Sequence, residues 1–138
     1  DPELGLVYYS SDGATIDNWG GFHPGDNLFG TSIVALDVET GELIWRQIFE
    51  GYGQAGSVVT AGGIVFVGAG SNTAGYFYAY NAATGEQLWK FNTGAGVFAS
   101  PSVYVIDGQE YITVASGGGS RGRRGGDLIL TFALPERN

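Results

Sequence analysis

The chain has 138 residues, a formal net charge of −8, 25 glycines, no cysteine and no methionine. The acidic balance argues against nucleic acid as a partner, because phosphate binding needs a basic surface. Zero cysteine excludes disulfides and thiolate metal sites, and no apolar run approaches the roughly 20 residues of a membrane helix. Aromatics at 14% and abundant glycine without low-complexity runs fit tight turns and packed sheets. In chain order, Leu6–Ser10 reads as a short apolar strand and Ser11–Phe29 as a long Gly/Asp/Asn-rich loop. Ser32–Asp37 is a strand, Val38–Gly41 a turn, and Glu42–Ile48 its hairpin partner. Gln54–Thr60 is a weak strand and Ile64–Gly68 a buried one. Tyr76–Asn81, a turn at Ala82–Gly85 and Glu86–Asn92 repeat the hairpin. Val97–Ile106 and Glu110–Ala115 flank Asp107-Gly108, a strong hairpin signal. Ser116–Gly126 reads as a Gly/Arg loop and Asp127–Leu134 as a last strand. No window has helical periodicity.

One segment occurs twice. Ser32–Gln47 is SIVALDVETGELIWRQ and Tyr76–Phe91 is YFYAYNAATGEQLWKF. Gly41 matches Gly85 and Trp45 matches Trp89, a period of 44 residues. Short strands repeated at that period, ending in a Gly turn and a Trp, indicate β-propeller blades. The fold class is all-β: a partial propeller of about two and a half four-stranded antiparallel blades. If strands are labelled A to D outward, the order is B, C, D; then A to D; then A, B, C. The blades are residues 1–50, residues 54–93 and a partial blade at 95–138, in one partial propeller domain. Asp37 and Asn81 are placed to cap their turns with side-chain oxygens. Gly41 and Gly85 suit a left-handed position. Trp45 and Trp89, on outer strands, suit the gap between neighbouring blades. These six residues read as fold rather than chemistry.

The repeat, with ALD, TG and W in register, resembles that of the pyrroloquinoline quinone (PQQ)-dependent alcohol dehydrogenases and their tryptophan-docking motif. The stretches DPELGLVYYSS and HPGDNLFGTSIVALDVETGELIW are similar to a middle blade of that family. GYFYAYNAATGEQLWKFNTGAGVFASPSVYVIDGQEYITVASGGG is similar to its C-terminal blades. The resemblance implies an eight-bladed ring carrying PQQ and a Ca²⁺ or lanthanide ion near its axis. It further implies oxidation of primary alcohols in the periplasm, with a cytochrome-type electron acceptor. The ion would polarise the quinone as a Lewis acid, while a catalytic Asp acts as base and hydride moves to the quinone.

The sequence departs from that pattern. Where the family carries Thr-Gly-Asn, with the Asn on the metal, this chain has Ser11-Asp12-Gly13. Asp12 is therefore the candidate metal ligand, since carboxylates suit hard cations; a solvated loop Asp is the other reading. After the first TG-W hairpin the family continues with a His-Asp-x-Trp-Asp stretch and about two more blades that supply the catalytic Asp. Here RQIFEGYG (Arg46–Gly53) runs almost directly into the next blade, so no catalytic residue is identified. The N-terminal blades, with their adjacent-cysteine disulfide, are absent.

Gly117, Gly118 and Gly119 stand where the family places a Gly-rich loop beside the cofactor, because backbone without β-carbons admits a flat ring. A plain hairpin connection is the alternative. Arg121, Arg123 and Arg124 could pair with the cofactor's carboxylates, form an exposed charged loop, or meet an acidic partner such as a cytochrome. Asp26 and Asn27 read as turn caps, and Trp19 as a cap over an apolar edge. His23, the only histidine, has no cluster for zinc and no hydrolase triad around it.

The start at Asp1 and the lack of Met give the expectation of an excised piece. Two blade faces are left bare, and repeat folds need neighbours or caps. The expectation is therefore association with other chains, or a larger protein whose intervening blades are omitted between about Gln47 and Gln54. The rival function is a non-catalytic PQQ-like propeller scaffold, as in outer-membrane assembly factors.

Overall fold

The computed structural model describes residues 1–13, 25, 27–53, 55–71, 74–118 and 125–133. Its ten strands are β1 (Leu6–Ser11), β2 (Ser32–Asp37), β3 (Leu43–Ile48), β4 (Ser57–Val59), β5 (Ile64–Gly70), β6 (Gly75–Asn81), β7 (Gln87–Asn92), β8 (Ser102–Ile106), β9 (Gln109–Gly118) and β10 (Gly125–Ala133). Three antiparallel sheets result, in the orders β1-β2-β3, β4-β5-β6-β7 and β10-β9-β8. All neighbours within a sheet are consecutive in sequence, as local hairpin chemistry dictates.

The four-stranded sheet lies between the other two, and period-2 alternation decides which side chains meet. On one face of it Val65, Val67, Tyr78 and Tyr80 pack with Leu6, Ile33, Ala35 and Trp45 of the first sheet. On the other face Phe66, Phe77 and Trp89 meet Ile112, Val114, Leu130 and Phe132 of the third. β5 and β6 are buried on both sides, which is why IVFVGAG and GYFYAYN are nearly continuous apolar runs rather than alternating ones.

The two turns of the repeat fold alike. The Asp37 carboxylate accepts the backbone N–H groups of Glu39 at 2.9 Å and Thr40 at 2.7 Å. The Asn81 side-chain oxygen accepts those of Ala83 at 2.9 Å and Thr84 at 3.1 Å. Gly41 and Gly85 sit at φ +73° and +72°, where a β-carbon is costly. Asp107 and Gly108 both take positive φ, as a two-residue hairpin turn of this type requires.

Most strand ends shift by one or two residues from the sequence reading, and three regions differ by more. The strand placed at Val97–Ile106 begins at Ser102; Pro101 cannot donate to a ladder, and Val97 is fully buried against β5 instead. The weak strand at Gln54–Thr60 shortens to Ser57–Val59, and Gln54 itself lies outside the described residues. The Gly/Arg loop is shorter than Ser116–Gly126, because Gly117 and Gly118 belong to β9 and pairing resumes at Gly125. Of Arg46–Gly53, the first three residues end β3 and Phe49–Gly53 forms a short connection out of the first sheet. Phe49 is buried in it, and Tyr52 and Gly70 exchange backbone hydrogen bonds of 2.5 and 3.1 Å.

Candidate functional site

β1, β5 and β9 run in the same sense, and each is followed by a connection at the same end of its sheet. That end holds Asp12 after β1 and Gly117–Gly118 at the end of β9. A series of backbone hydrogen bonds spans it. Thr31 N–H donates to Asp12 O at 3.2 Å, Phe49 N–H to Thr31 O at 2.9 Å, Val97 N–H to Ala69 O at 3.4 Å, and Gly118 N–H to Gly96 O at 2.9 Å. With the Tyr52–Gly70 pair, these tie the first sheet, both inter-sheet connections and the third sheet together. Close backbone approach is what makes glycine necessary here: a β-carbon on Gly70 would lie 2.5 Å from Gly96 Cα.

Two residues of this end carried no sequence signal. Thr31 is β-branched yet sits at φ +47°, a strained conformation for such a residue. Ser116 is fully buried, and its hydroxyl lies 3.0 Å from Thr93 O and 2.9 Å from Ala95 O. Strain and burial follow from the tertiary fold, so neither is visible in residue type.

Asp12 is exposed, and its carboxylate accepts the Gly13 N–H at 2.8 Å. The contact is to the adjacent residue and falls short of the two-residue reach of an Asx turn. Among the described residues no three His, Cys, Asp or Glu side chains gather into a cation site, whereas Ca²⁺ takes six to eight oxygens. The described residues therefore do not make a metal shell. Gly117 is exposed, and a β-carbon there would meet nothing within 4 Å. Gly117 thus leaves room for a flat ring but does not form a cradle for one. Gly119, Arg121, Arg123, Arg124, His23, Trp19 and Asp26 lie outside the described residues. Asn27 is described, at φ +50°, with its carbonyl accepting the Gly30 N–H at 2.8 Å.

The most fully formed side-chain site is at the opposite end, where the sheets interlock. The Trp45 indole donates from Nε1 to Ala82 O at 2.8 Å, and Gln47 Nε2 donates to Gly85 O at 2.9 Å. The ring rests on Gly85, packs 5.8 Å from Tyr8 and 6.3 Å from Tyr80, and is buried. Burial raises the Tyr8 and Tyr80 hydroxyls above their ordinary range and pushes Tyr78 up to about 12. Trp89 sits the same way over the third sheet, 5.1 Å from Phe132 and edge-on to it. These groups do packing work; no nucleophile or base is among them.

Comparison with known proteins gives a consistent picture. The family model of the PQQ-type glucose/ethanol/alcohol dehydrogenase β-propeller domain matches residues 1–50 and again 48–112. The two matches meet within the Gln47–Gln54 junction. A quinoprotein ethanol dehydrogenase of Pseudomonas putida is 43% identical over 98 residues, covering 70% of this chain and 15% of that protein. The chain thus spans only about 15% of that relative's length. Among solved structures, the quinohemoprotein alcohol dehydrogenase of Comamonas testosteroni superposes with a TM-score of 0.70 at 26% identity, over 99% of this chain and 26% of that one. A europium-containing methanol dehydrogenase gives 0.57 at 30% identity, over 63% of this chain and 15% of that one.

Proposed function

Because the chain belongs to the PQQ-type glucose/ethanol/alcohol dehydrogenase β-propeller family, we propose that it is part of the propeller frame of a PQQ-dependent alcohol dehydrogenase. The parent reaction is oxidation of a primary alcohol, with PQQ taking the electrons beside a Ca²⁺ or lanthanide ion. We assign it to the periplasm, with a small alcohol as substrate, a cytochrome-type protein as electron acceptor, and further blades or chains completing the ring. The observation that carries this reading is the double family match in register with the two turns, each with its glycine and its Trp.

The described residues fit the frame and not the catalytic centre. PQQ, when bound in such an enzyme, supplies a two-electron acceptor. What this chain's residues do is narrower. The hydrogen-bonded series from Asp12 to Gly118 holds one end of three sheets in register, and Trp45 locks the other end. Asp12 and the Gly117–Gly119 run are offered as the metal-side and cofactor-side contributions of this segment, to be completed by residues of other blades. A non-catalytic scaffold is the second reading; it is favoured by Gly13, where the family motif has its ligating Asn, and by the lack of a three-membered group of possible metal ligands among the described residues.

The test is reconstitution of the full chain with PQQ and either Ca²⁺ or a lanthanide, followed by absorbance and by dye reduction with ethanol. Retained PQQ that is lost in an Asp12→Ala variant supports the enzyme-derived reading. Failure to retain PQQ under any metal removes this chain's part in the cofactor site and leaves the scaffold.

A further inference from the structure

Lys90 stands on β7 of the middle sheet, yet its ammonium group reaches the connection that leaves the first sheet. Its Nζ lies 2.6 Å from Glu50 Oε1. The same nitrogen stands 4.0 Å over the Tyr76 ring and 5.6 Å from the centre of the Tyr78 ring. Sheet register makes this arrangement. Lys90 pairs with Tyr78 across β6 and β7, and Tyr76 lies two residues along the same face. An exposed ion pair contributes little by itself, because water screens it and two long side chains lose rotamers. Here the ring faces add attraction and hold the cation in place, and the Lys90 side chain is only 26% exposed. The connection that carries Glu50 has no slack. Phe49 is buried, with its ring 5.8 Å from Tyr78, and its N–H donates to Thr31 O at 2.9 Å. A β-carbon on Gly51 would run into Gly70 O, and one on Gly53 into the Phe49 ring and Ser11 O. Thr31 N–H in turn donates to Asp12 O at 3.2 Å. Direct contacts therefore run from Lys90 through Glu50 and Phe49 to Thr31 and Asp12.

We propose that Lys90 is a positioning residue for the end of the molecule that carries Asp12, acting through Glu50 on the connection Phe49–Gly53. The ammonium group fixes Glu50, and Glu50 fixes the neighbouring Phe49. Phe49 holds Thr31 in its left-handed conformation at φ +47°, and Thr31 holds the backbone at Asp12. Loss of the clamp loosens this path without unfolding the sheets, because Tyr52 and Gly70 still exchange backbone hydrogen bonds. The clamp follows from these contacts alone; that the positioned end serves a metal rests on the proposed role of Asp12.

The test is residue-resolved amide hydrogen exchange by NMR on the full chain and on Lys90→Met, Lys90→Arg and Glu50→Ala variants. Methionine keeps an apolar stem over the rings and removes the charge. In Lys90→Met and in Glu50→Ala, exchange at the Thr31, Phe49 and Tyr52 amides should quicken about three- to tenfold, the scale of one charged contact. At the opposite end the Asn81 and Gly85 amides, bonded to Glu86 O and Asn81 O, should stay within about twofold of the parent. Lys90→Arg keeps a cation over the rings and should restore the parent rates to within about twofold. The double variant Glu50→Ala with Lys90→Met should be no more than about twofold faster than either single one, since both remove one contact. Circular dichroism checks that each variant is folded. Parent-like rates at the three amides overturn the proposal, as does equal acceleration at Gly85, which marks a general loss of stability. So does a Lys90→Arg variant that exchanges as fast as Lys90→Met. None of these rates depends on a metal or on PQQ, so a failed reconstitution counts against the role of Asp12 and not against the clamp.

Discussion

Gly41 and Gly85 form a natural controlled experiment. Both take φ near +73°, so alanine at either pays the left-handed backbone cost of about 1–2 kcal/mol. They differ in what lies above them. A β-carbon on Gly41 meets nothing within 4 Å, while one on Gly85 would stand 2.6 Å from Trp45 Cδ2 and 2.8 Å from Cγ. The indole must then move, and with it goes a buried hydrogen bond to Ala82 O, a further loss of about 1–3 kcal/mol for an orphaned pair. Gly85→Ala should therefore cost about 2–5 kcal/mol and Gly41→Ala about 1–2. At this chain length each kcal/mol is about 3–5 °C in Tm. Urea and thermal unfolding of both variants measure the difference. Trp45→Phe in the Gly85→Ala background should recover part of the extra cost, since the two effects share one contact. Equal destabilisation by the two alanines would refute the assignment of Trp45 as the lock between the sheets.

Three further outcomes follow from single side chains. Asp37 is held below its ordinary value of 3.8, first by the Thr40 N–H, then by the Thr40 hydroxyl and the Glu39 N–H. Its folded-state value lies below its unfolded one, so its contribution is present above about pH 4 and is lost as pH falls through the folded value. Asp37→Asn, which copies Asn81, should flatten the acid limb of stability without changing the neutral midpoint appreciably. The Tyr78 hydroxyl is buried beside the Glu50 backbone, with no well-formed hydrogen bond among the described residues. Tyr78→Phe should leave Tm unchanged or raise it, by up to about 1 kcal/mol of relieved desolvation. Ser116→Ala removes the one hydroxyl donor that lies beside Thr93 O and Ala95 O, while Ala95 O keeps the Thr93 hydroxyl at 2.8 Å. It should cost about 1–2 kcal/mol, read as faster hydrogen exchange at Gly118.

The repeat made most of the fold legible. SIVALDVETGELIW and YFYAYNAATGEQLW carry alternation, a capping Asp or Asn, a left-handed glycine and a Trp, all local signals. Where the reading slipped, the deciding contact was non-local. Val97–Ser100 is apolar enough for a strand, yet Val97 is drawn under β5. Gly117 and Gly118 look like loop, yet both lie in β9, and Gly118 pairs with Gly125 of β10 and donates to Gly96 O. The candidate site was less legible. Asp12 and the glycines were chosen by position in a motif, and the structure shows that they share an end of the molecule while leaving their ligands to be supplied from elsewhere.

By itself the sequence determined the strand count, the hairpin order and the blade type, because turn chemistry and period-2 patterning act over a few residues. It also pointed to the two tryptophans as inter-sheet residues. Only the tertiary structure decided that they differ. Trp45 is covered and hydrogen-bonded because a complete fourth strand and its turn lie opposite it. Trp89 lines a cavity with Phe66, Ile112 and Phe132. Matching tryptophans in the two repeats thus acquire different environments from what faces them across the sheets, and no pattern within the repeat encodes that.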